Sequence, residues 1–194
     1  MTITKLDAAS MSCSRWSGGT TTQLAICPPD AVYADRDFLW RLSSARVELP
    51  ESNFTPLPDY DRILMILEGE LYLSHDACAE YLLRPLEQTS FDGASHTFSR
   101  GQVTDFNLMM RKGRCTGCID AKELTCAAPW EDTLPSHVDS ALYYCVSGSV
   151  RISFDTHEEH LSAGDALMLE TCSEQQFRLD GNAVVIRAAM NTMQ

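Results

Sequence analysis

Residues 66–73 (ILEGELYL) recur in altered form at residues 145–152 (CVSGSVRI). A second pair follows at nearly the same spacing, because residues 83–91 (LRPLEQTSF) match residues 161–169 (LSAGDALML). The offset between the copies is 79 residues for the first pair and 78 for the second, a difference that one deletion explains. Self-similarity at a fixed spacing decides the architecture of a chain. A repeat of this length is domain-sized and indicates two related halves.

Strand signals dominate both halves. Residues 63–73 are apolar through a Glu-Gly turn, and residues 105–111 (DFNLMMR) alternate between polar and apolar side chains. Further short strands are predicted at residues 142–146, 150–154 and 183–188. Short segments of this kind, with turn residues between them, are typical of an all-β sandwich or barrel. No helix-period segment longer than about three turns competes with them.

The glycine of the first repeat also closes a recognisable metal motif. Cupin proteins share the pattern G-x5-H-x-H-x3-4-E-x6-G, whose two His and one Glu hold a transition metal inside a small β-barrel. With Gly69 as the closing glycine, the Glu position falls on Arg62 and the His positions fall among residues 55–58 (TPLP). A cation therefore occupies the place of the metal-binding carboxylate. We expect a pocket that binds an anion directly, without a metal or other cofactor.

The repeat and this motif together predict an all-β bicupin, with two β-barrel or jelly-roll cupin repeats packed in one compact unit. Residues 1–112 are expected to form the N-terminal repeat with its N-terminal strands and pocket. Residues 113–194 are expected to contain a linker and the C-terminal repeat.

Arg62 is the first candidate site residue, because the cupin register points its side chain into the barrel. A guanidinium offers five donors in a planar fork that suits a carboxylate. Asp105 and Asn107 share one face of a predicted strand and can orient Arg62 or a ligand. The sequence leaves the alternatives open: Arg62 pairing with a structural acid, and a strand face that is simply solvated.

His96 is a further candidate, since Gly93-Ala94-Ser95-His96 preserves the G-x-x-H spacing of the second cupin motif. A lone pocket histidine and a surface or loop histidine are both open interpretations. In the second repeat the Glu position falls on Ala141, and His137 stands unaccompanied near a ligand position. Neither repeat keeps a metal-ligand set, and we expect no stoichiometric transition metal.

Composition limits the partners. The formal net charge is −12 and the sequence pI is about 4.7, so long-range repulsion argues against nucleic acid and anionic membranes. The first residues lack the basic and apolar regions of a signal peptide, which favours a cytoplasmic protein. The expected partner is a small acidic metabolite, and a homodimer is left open.

Eight cysteines are expected to be reduced in a cytoplasmic protein. Cys27, Cys145 and Cys172 lie in apolar contexts and are predicted to be small core residues. Residues 115–118 (CTGC) form a C-x-x-C within the predicted linker. Incidental cysteines and a redox or metal role are both open for Cys115 and Cys118.

Four ordered motifs resemble the HutD/Ves family. Residues 16–21 (WSGGTT) are similar to the family's W-x-N-G-G-G-x-T, and residues 38–43 (FLWRLS) end in its W-R-[IL]-S. Residues 54–62 (FTPLPDYDR) resemble F-S-x-F-P-G-x-x-R, and residues 101–109 (GQVTDFNLM) resemble G-x-x-x-D-F-N-x-M. The resemblance covers nearly the whole chain and is most specific over residues 14–111.

The resemblance implies a bicupin fold, a bacterial origin and a cytoplasmic protein. Some relatives are encoded beside histidine-utilisation enzymes, which implies modulation of that pathway through a small acidic intermediate. No enzymatic activity is established for the family as a whole. The positions of Arg62, Asp105 and Asn107 match the family motifs, and the resemblance implies that Trp16 and Thr21 line or brace the same site. Three positions depart from the motifs, namely Ser17, Gln23 and Asp59.

Three functions follow as hypotheses. The leading one is a metal-independent bicupin that binds a small carboxylate and acts as a sensor or modulator of histidine utilisation. The second is a cupin enzyme acting on a small acid, either a metal-free isomerase or a metal enzyme using His96, Glu68 and Asp105. The third is a structural interaction protein with a vestigial pocket.

Overall fold

The computed structural model describes residues 1–76, 78–170 and 174–193. Cys172 lies outside the described residues. In chain order the strands are β1 (Thr2–Leu6), β2 (Ser12–Trp16), β3 (Gly19–Cys27), β4 (Trp40–Val47), β5 (Glu51–Asn53), β6 (Tyr60–Glu68), β7 (Leu71–His75), β8 (Tyr81–Leu83), β9 (Gln88–Asp92), β10 (Thr97–Arg100), β11 (Val103–Arg111), β12 (Cys115–Leu124), β13 (Trp130–Leu134), β14 (Ser140–Phe154), β15 (His157–Ser162), β16 (Ala166–Glu170) and β17 (Gln175–Thr192). Two short 3-10 helices span Ala8–Ser10 and Tyr33–Asp35. The all-β prediction is confirmed, and no helix among the described residues has the length and hydropathy that a bilayer crossing needs.

The chain forms two compact units. The N-terminal unit comprises residues 12–116 with 193–194, and the C-terminal unit comprises residues 1–11 with 117–192. These units and the predicted division after residue 112 differ at residues 1–11, 113–116 and 193–194. The first 11 residues group with the C-terminal unit because β1 pairs antiparallel with β16.

The N-terminal unit contains two open sheets. One has six strands in the order β2-β3-β4-β11-β6-β9, and the other has four in the order β5-β10-β7-β8. Their apolar side chains form one core around Leu64, Ile66, Leu71 and Leu73. A second cluster gathers Phe38, Leu57, Tyr60 and Met109. These two clusters lie at opposite ends of one face of β11, with polar residues between them.

The C-terminal unit is built on a seven-stranded sheet with the path β1-β16-β14-β17-β12, to which β13 and β15 add through β17 and β14. The residues predicted as a linker are therefore mostly strand, since β12 and β13 both extend this sheet. Cys115 is buried and Cys118 is exposed on β12. Residues three apart on a strand point to opposite faces, so this C-x-x-C cannot converge on one metal or close a short disulfide here.

The glycines of the two repeats, Gly69 and Gly148, lie at equivalent turns and have similar backbone conformations. Gly69 has φ +87° and Gly148 has φ +76°, a region that side-chain-bearing residues rarely adopt. A Cβ on Gly69 would lie 2.5 Å from the carbonyl oxygen of Gln102, and one on Gly148 would lie 2.0 Å from that of Asn182. Both positions thus require glycine for conformation and for space.

Candidate functional site

A polar strip crosses one face of the six-stranded sheet. Asp105, Asn107 and Met109 alternate along β11 and therefore point to the same side. In the strand register Met109 lies between Arg41 of β4 and Arg62 of β6. The antiparallel pairing thus brings two arginines to the same face as the acidic and amide side chains.

The strip forms the floor of a cavity of about 660 Å³ within the N-terminal unit. Five of the six residues that the sequence singled out line this cavity, and they are Arg62, Asp105, Asn107, Trp16 and Thr21. Whether they bind a ligand stays a prediction. The charged residues that line the cavity are three arginines and two acids, namely Arg36, Arg41, Arg62, Glu51 and Asp105. The cavity is therefore locally basic in a chain whose formal net charge is −12.

Arg62 is buried, with 6% of its surface exposed. Its guanidinium carbon lies 4.9 Å from the ring centroid of Phe54 and 5.2 Å from that of Phe91. Its Nε has no hydrogen-bond partner, and no carboxylate among the described residues lies within ion-pair distance of it. Burial lowers the pKa of Arg62 to about 10, although the charge of Asp105 opposes this shift. Arg62 is therefore still a cation at neutral pH and is held by aromatic rings rather than by an acid.

Asp105 and Asn107 are also buried and incompletely paired. Asp105 Oδ1 and Asn107 Oδ1 have no hydrogen-bond partner. Burial raises the pKa of the Asp105 carboxyl to about 7, while the Arg62 charge and a backbone hydrogen bond from Ala45 act in the opposite direction. Desolvation disfavours the ionised carboxylate, and the neighbouring cation offsets only part of that cost. This carboxyl therefore changes protonation close to neutral pH.

Arg41 also lines the cavity, although it was not among the residues predicted from the sequence. Its Nε donates to Gln23 Oε1 at 2.9 Å and its Nη1 donates to Ser43 Oγ at 3.2 Å. Its guanidinium carbon lies 4.2 Å from the ring centroid of Tyr33, and burial lowers its pKa. The signal was present in the quoted W-R-L-S stretch, because Arg41 and Ser43 alternate with the apolar Trp40 and Leu42.

Tyr33 reaches the cavity from the loop between β3 and β4. Tyr60 fixes this loop through its hydroxyl, which is within hydrogen-bond distance of two backbone carbonyl oxygens of the loop. The Arg36 oxygen lies at 2.9 Å and the Phe38 oxygen at 3.0 Å, and either accepts the hydroxyl hydrogen. Arg111 donates from Nε to the Phe38 carbonyl oxygen at 3.1 Å and from Nη2 to the Tyr60 hydroxyl at 3.0 Å. The loop is thus tied to the sheet at several atoms.

Trp16 and Thr21 lie at the cavity mouth on the hairpin of β2 and β3. The Trp16 indole N–H donates to Thr21 Oγ1 at 3.2 Å, and 38% of Trp16 is exposed. The ring lies against Gly18, where an added Cβ would come within 1.9 Å of a ring carbon. The lack of a side chain at Gly18 therefore lets the indole fold back over the backbone.

His96 does not line the cavity, and of its two open interpretations its position favours a surface or loop histidine. It is exposed in the turn between β9 and β10, where its backbone N–H donates to Asp76 Oδ1 at 3.0 Å. The G-x-x-H spacing is preserved, but the turn directs the side chain to the surface. Among residues 1–76, 78–170 and 174–193, no group of three or more His, Cys, Asp or Glu is arranged to hold a metal ion.

The C-terminal unit contains an arginine in the opposite situation. Arg187 Nη2 donates to Asp120 Oδ2 and its Nη1 donates to Asp132 Oδ1, both at 2.5 Å. The other oxygen of Asp132 accepts from the Tyr143 hydroxyl at 2.7 Å. Two protein carboxylates thus occupy this guanidinium, whereas that of Arg62 has none.

Comparisons with known proteins agree with this architecture. The HutD family model matches residues 8–186. A conserved protein of unknown function from Pseudomonas aeruginosa PAO1 is 24% identical, with a TM-score of 0.87 over 98% of this chain and 100% of that one. HutD from Pseudomonas fluorescens SBW25 is 22% identical, with a TM-score of 0.80 over 100% of both chains. These likenesses support the predicted jelly-roll bicupin fold.

A curated relative gives a closer but shorter match. Protein Ves of Citrobacter koseri is 31% identical over 126 residues, which is 61% of this chain and 63% of the relative. The match therefore spans less than two thirds of that relative's length. The family model, in contrast, covers nearly all of the sequence and includes every strand of the cavity floor. The chain belongs to the HutD family.

Proposed function

We propose that the cavity of the N-terminal unit binds a small carboxylate without a metal, with Arg62 as the principal cation. The observation that carries this proposal is the buried guanidinium of Arg62, which opens onto the cavity with no carboxylate of the described residues within ion-pair distance. Natural proteins pair buried charges, and a buried cation without a partner favours an anionic ligand. Arginine suits a carboxylate because its donors match both oxygens.

The surroundings of Arg62 support the same ligand class. Arg41 adds a second cation beside Met109, and the Phe54 and Phe91 rings exclude water from one side of the guanidinium. Low local polarity strengthens the attraction between the arginine and an anion. In the cell, the family resemblance points to an acidic intermediate of histidine utilisation, with this protein as a sensor or modulator in the cytoplasm.

A ligand screen tests the proposal. Purified protein without a metal-binding tag is titrated calorimetrically with a panel of small mono- and dicarboxylates, and with the matching amides as uncharged controls. We expect saturable binding of at least one acid and none of its amide. Absence of binding by every acid at millimolar concentration would reject the function.

A second candidate is metal-free proton transfer on a small acid, and the Asp105 carboxyl favours it. A group that titrates near neutral pH inside a cavity is suited to act as a general base. The test is deuterium exchange at the carbon next to the carboxylate of a bound acid, followed by NMR in deuterated water. Exchange that is lost in Asp105→Asn would identify an isomerase-like enzyme.

Metal content separates the proposal from a metal-dependent enzyme. We expect less than stoichiometric Fe, Mn, Ni or Zn after dialysis, because His96 and Glu68 are exposed while Asp105 is buried in the cavity. Transition metals need several converging ligands. About one tightly bound metal ion per chain in elemental analysis would contradict this expectation.

A further inference from the structure

Unsatisfied polar atoms concentrate in the proposed binding cavity. Four buried side-chain nitrogen or oxygen atoms among the described residues lack a hydrogen-bond partner. Three of them line this cavity, namely Arg62 Nε, Asp105 Oδ1 and Asn107 Oδ1. Buried polar groups are almost always hydrogen-bonded, and each exception needs an explanation. A cluster of three in one cavity indicates that a ligand supplies the missing partners.

The three atoms do not have the same requirement. Arg62 Nε is a donor and is satisfied by a carboxylate oxygen. Above about pH 7, where the Asp105 carboxyl is ionised, Asp105 Oδ1 and Asn107 Oδ1 are both acceptors, and a carboxylate has no hydrogen to give them. A plain carboxylate would therefore bring further acceptors to a cavity that already has two in excess.

As assigned, the Asn107 amide presents its oxygen rather than its nitrogen at this position, and neither that oxygen nor Asp105 Oδ1 has a donor. Arg41 does not supply it through Nε or Nη1, because these nitrogens donate to Gln23 and Ser43.

The spacing of the three residues limits the ligand. Arg62 lies opposite Met109, so Arg62 and Asn107 are diagonal neighbours on adjacent strands, roughly 7–8 Å apart between backbone positions. Asn107 and Asp105 are two residues apart on the same face of β11. One small molecule can therefore reach the guanidinium and both acceptors at once.

We propose that the ligand is a small carboxylic acid that also carries an N–H or O–H donor, such as an amido acid or a hydroxy acid. The carboxylate binds Arg62, and the single hydrogen of the donor is shared between Asn107 Oδ1 and Asp105 Oδ1 in a three-centre hydrogen bond. This inference rests on the proposed carboxylate-binding function and narrows it to one chemical class. A site built to accept a hydrogen bond discriminates strongly against a ligand that lacks the donor, because the acceptors are then left unpaired.

Two matched pairs of acids test the inference. N-acetylglycine and levulinate differ by replacement of the amide N–H with a methylene, and lactate and isobutyrate differ by replacement of the hydroxyl with a methyl group. Calorimetric titration at pH 8 keeps all four acids ionised. Wild-type protein is expected to bind the donor-bearing member of at least one pair roughly five- to a hundredfold more tightly.

Two variants test which residues cause the preference for the donor-bearing acid. Asn107→Leu and Asp105→Leu remove one acceptor each at similar volume, and each is expected to reduce the preference at least threefold. Asn191→Leu, in the C-terminal unit, is the matched control and is expected to leave the preference unchanged. If a variant does not fold, the wild-type comparison of the two pairs still decides the outcome.

The possible results separate this inference from the function on which it rests. Equal affinity within both pairs, or tighter binding of the donor-free acids, overturns the donor requirement while carboxylate binding stands. A preference that persists in both leucine variants overturns the assignment to Asn107 and Asp105. Failure of all four acids to bind overturns the carboxylate function and the inference with it.

Discussion

Arg62 and Arg187 show how one residue type serves two purposes in this chain. Arg187 donates to two carboxylates at 2.5 Å, so its charge is compensated within the protein. Arg62 is more deeply buried but lies between aromatic rings, and no acid in the described part of the chain is within ion-pair distance of it. The first arrangement stabilises a fold, whereas the second leaves a cation available for a ligand.

Removal of the Arg62 charge is expected to weaken carboxylate binding. A charge-assisted hydrogen bond contributes on the order of 1.5–3 kcal/mol, so Arg62→Ala should reduce affinity roughly ten- to a hundredfold. Arg62→Lys should recover only part of the loss, because an ammonium lacks the planar fork. Calorimetric titration measures both variants. Arg84→Ala, at an exposed arginine near Glu70, is the control, and unchanged affinity in folded Arg62→Ala would reject the assignment.

The same contrast predicts opposite effects on stability. Arg187→Met leaves the buried carboxylate of Asp132 without its cation and should cost at least about 2 kcal/mol. Arg62→Met keeps the volume and removes an unpaired buried charge, so it should leave stability equal or higher. Urea unfolding of the two variants measures the difference. Equal destabilisation by both would mean that Arg62 has a structural partner after all.

Asp105 is expected to make stability depend on pH. Its folded-state pKa of about 7 lies above the ordinary value of 3.8, so the folded protein holds an extra proton between these pH values. The contribution of the Asp105 carboxyl to the free energy of unfolding is complete below the unfolded-state pKa, and it is lost as the pH rises through about 7. On the cavity face of the neighbouring strands the charged groups are Arg62 and Arg41, and both stay cationic over this range.

Asp105→Asn should therefore remove a pH dependence of a few kcal/mol. Melting temperatures at pH 5 to 8 measure this dependence. The melting temperature of the variant should rise relative to that of the wild type as the pH rises. Parallel melting curves for the two proteins across this range would contradict the raised pKa. Ionised groups elsewhere contribute equally to both proteins and cancel in the comparison.

At the scale of strands and turns, the hairpin of β2 and β3 provides a matched pair of glycines. A Cβ on Gly18 would meet only the movable ring of Trp16, whereas one on Gly19 would lie 1.9 Å from the backbone carbonyl oxygen of Arg46. Gly18→Ala should thus keep stability within about 1 kcal/mol but shift the indole, and Gly19→Ala should cost a few kcal/mol. Tryptophan fluorescence and thermal unfolding measure the two effects, and equal stability of the variants would exclude the backbone clash.

Strand alternation and the repeat made much of the cavity floor predictable from sequence. Asp105 and Asn107 could be placed on one face because side chains alternate along a strand, and Arg62 joined them through the cupin register. Arg41 was missed because nothing in the sequence indicates that β4 pairs with β11 on the other side of Met109. The two interpretations of His96 stayed open at the level of sequence because residue spacing does not specify the direction of a turn.

The expected linker, residues 112–136, contains more strand than the one segment predicted in it, around residues 118–124. Residues 112–136 have few long apolar runs, yet β12 and β13 add to a sheet whose buried face is supplied mostly by β14 and β17. A strand at the margin of a sheet needs fewer apolar side chains than a central one, and tertiary pairing decides its conformation. The same pairing placed Cys115 and Cys118 on opposite faces.

At the scale of the whole molecule, the first residues complete the C-terminal unit. Ile3 of β1 lies opposite Leu169 of β16 and packs on the core of that unit, and the Ala8 N–H donates to Asp165 Oδ1 at 3.0 Å. Removal of residues 1–11 should expose the edge of β16. Hydrogen exchange should then rise across residues 117–192, while residues 12–116 keep their protection and the cavity keeps its affinity.

Mass spectrometry of amide exchange in the shortened and full-length proteins measures this prediction. Increased exchange confined to residues 12–116 would show that the two units are assigned to the wrong segments. A uniform increase would show that they unfold together rather than separately.

The placement of β1 has a consequence for synthesis. β1 is translated well before β16, so it must wait without that partner while the chain between them is made. The lining of the cavity, in contrast, runs only from Ser14 to Met109. The nascent chain therefore contains every cavity residue before β12 to β17 have been translated, and under the proposed function an acid present in the cell at that moment would stabilise an unfinished protein.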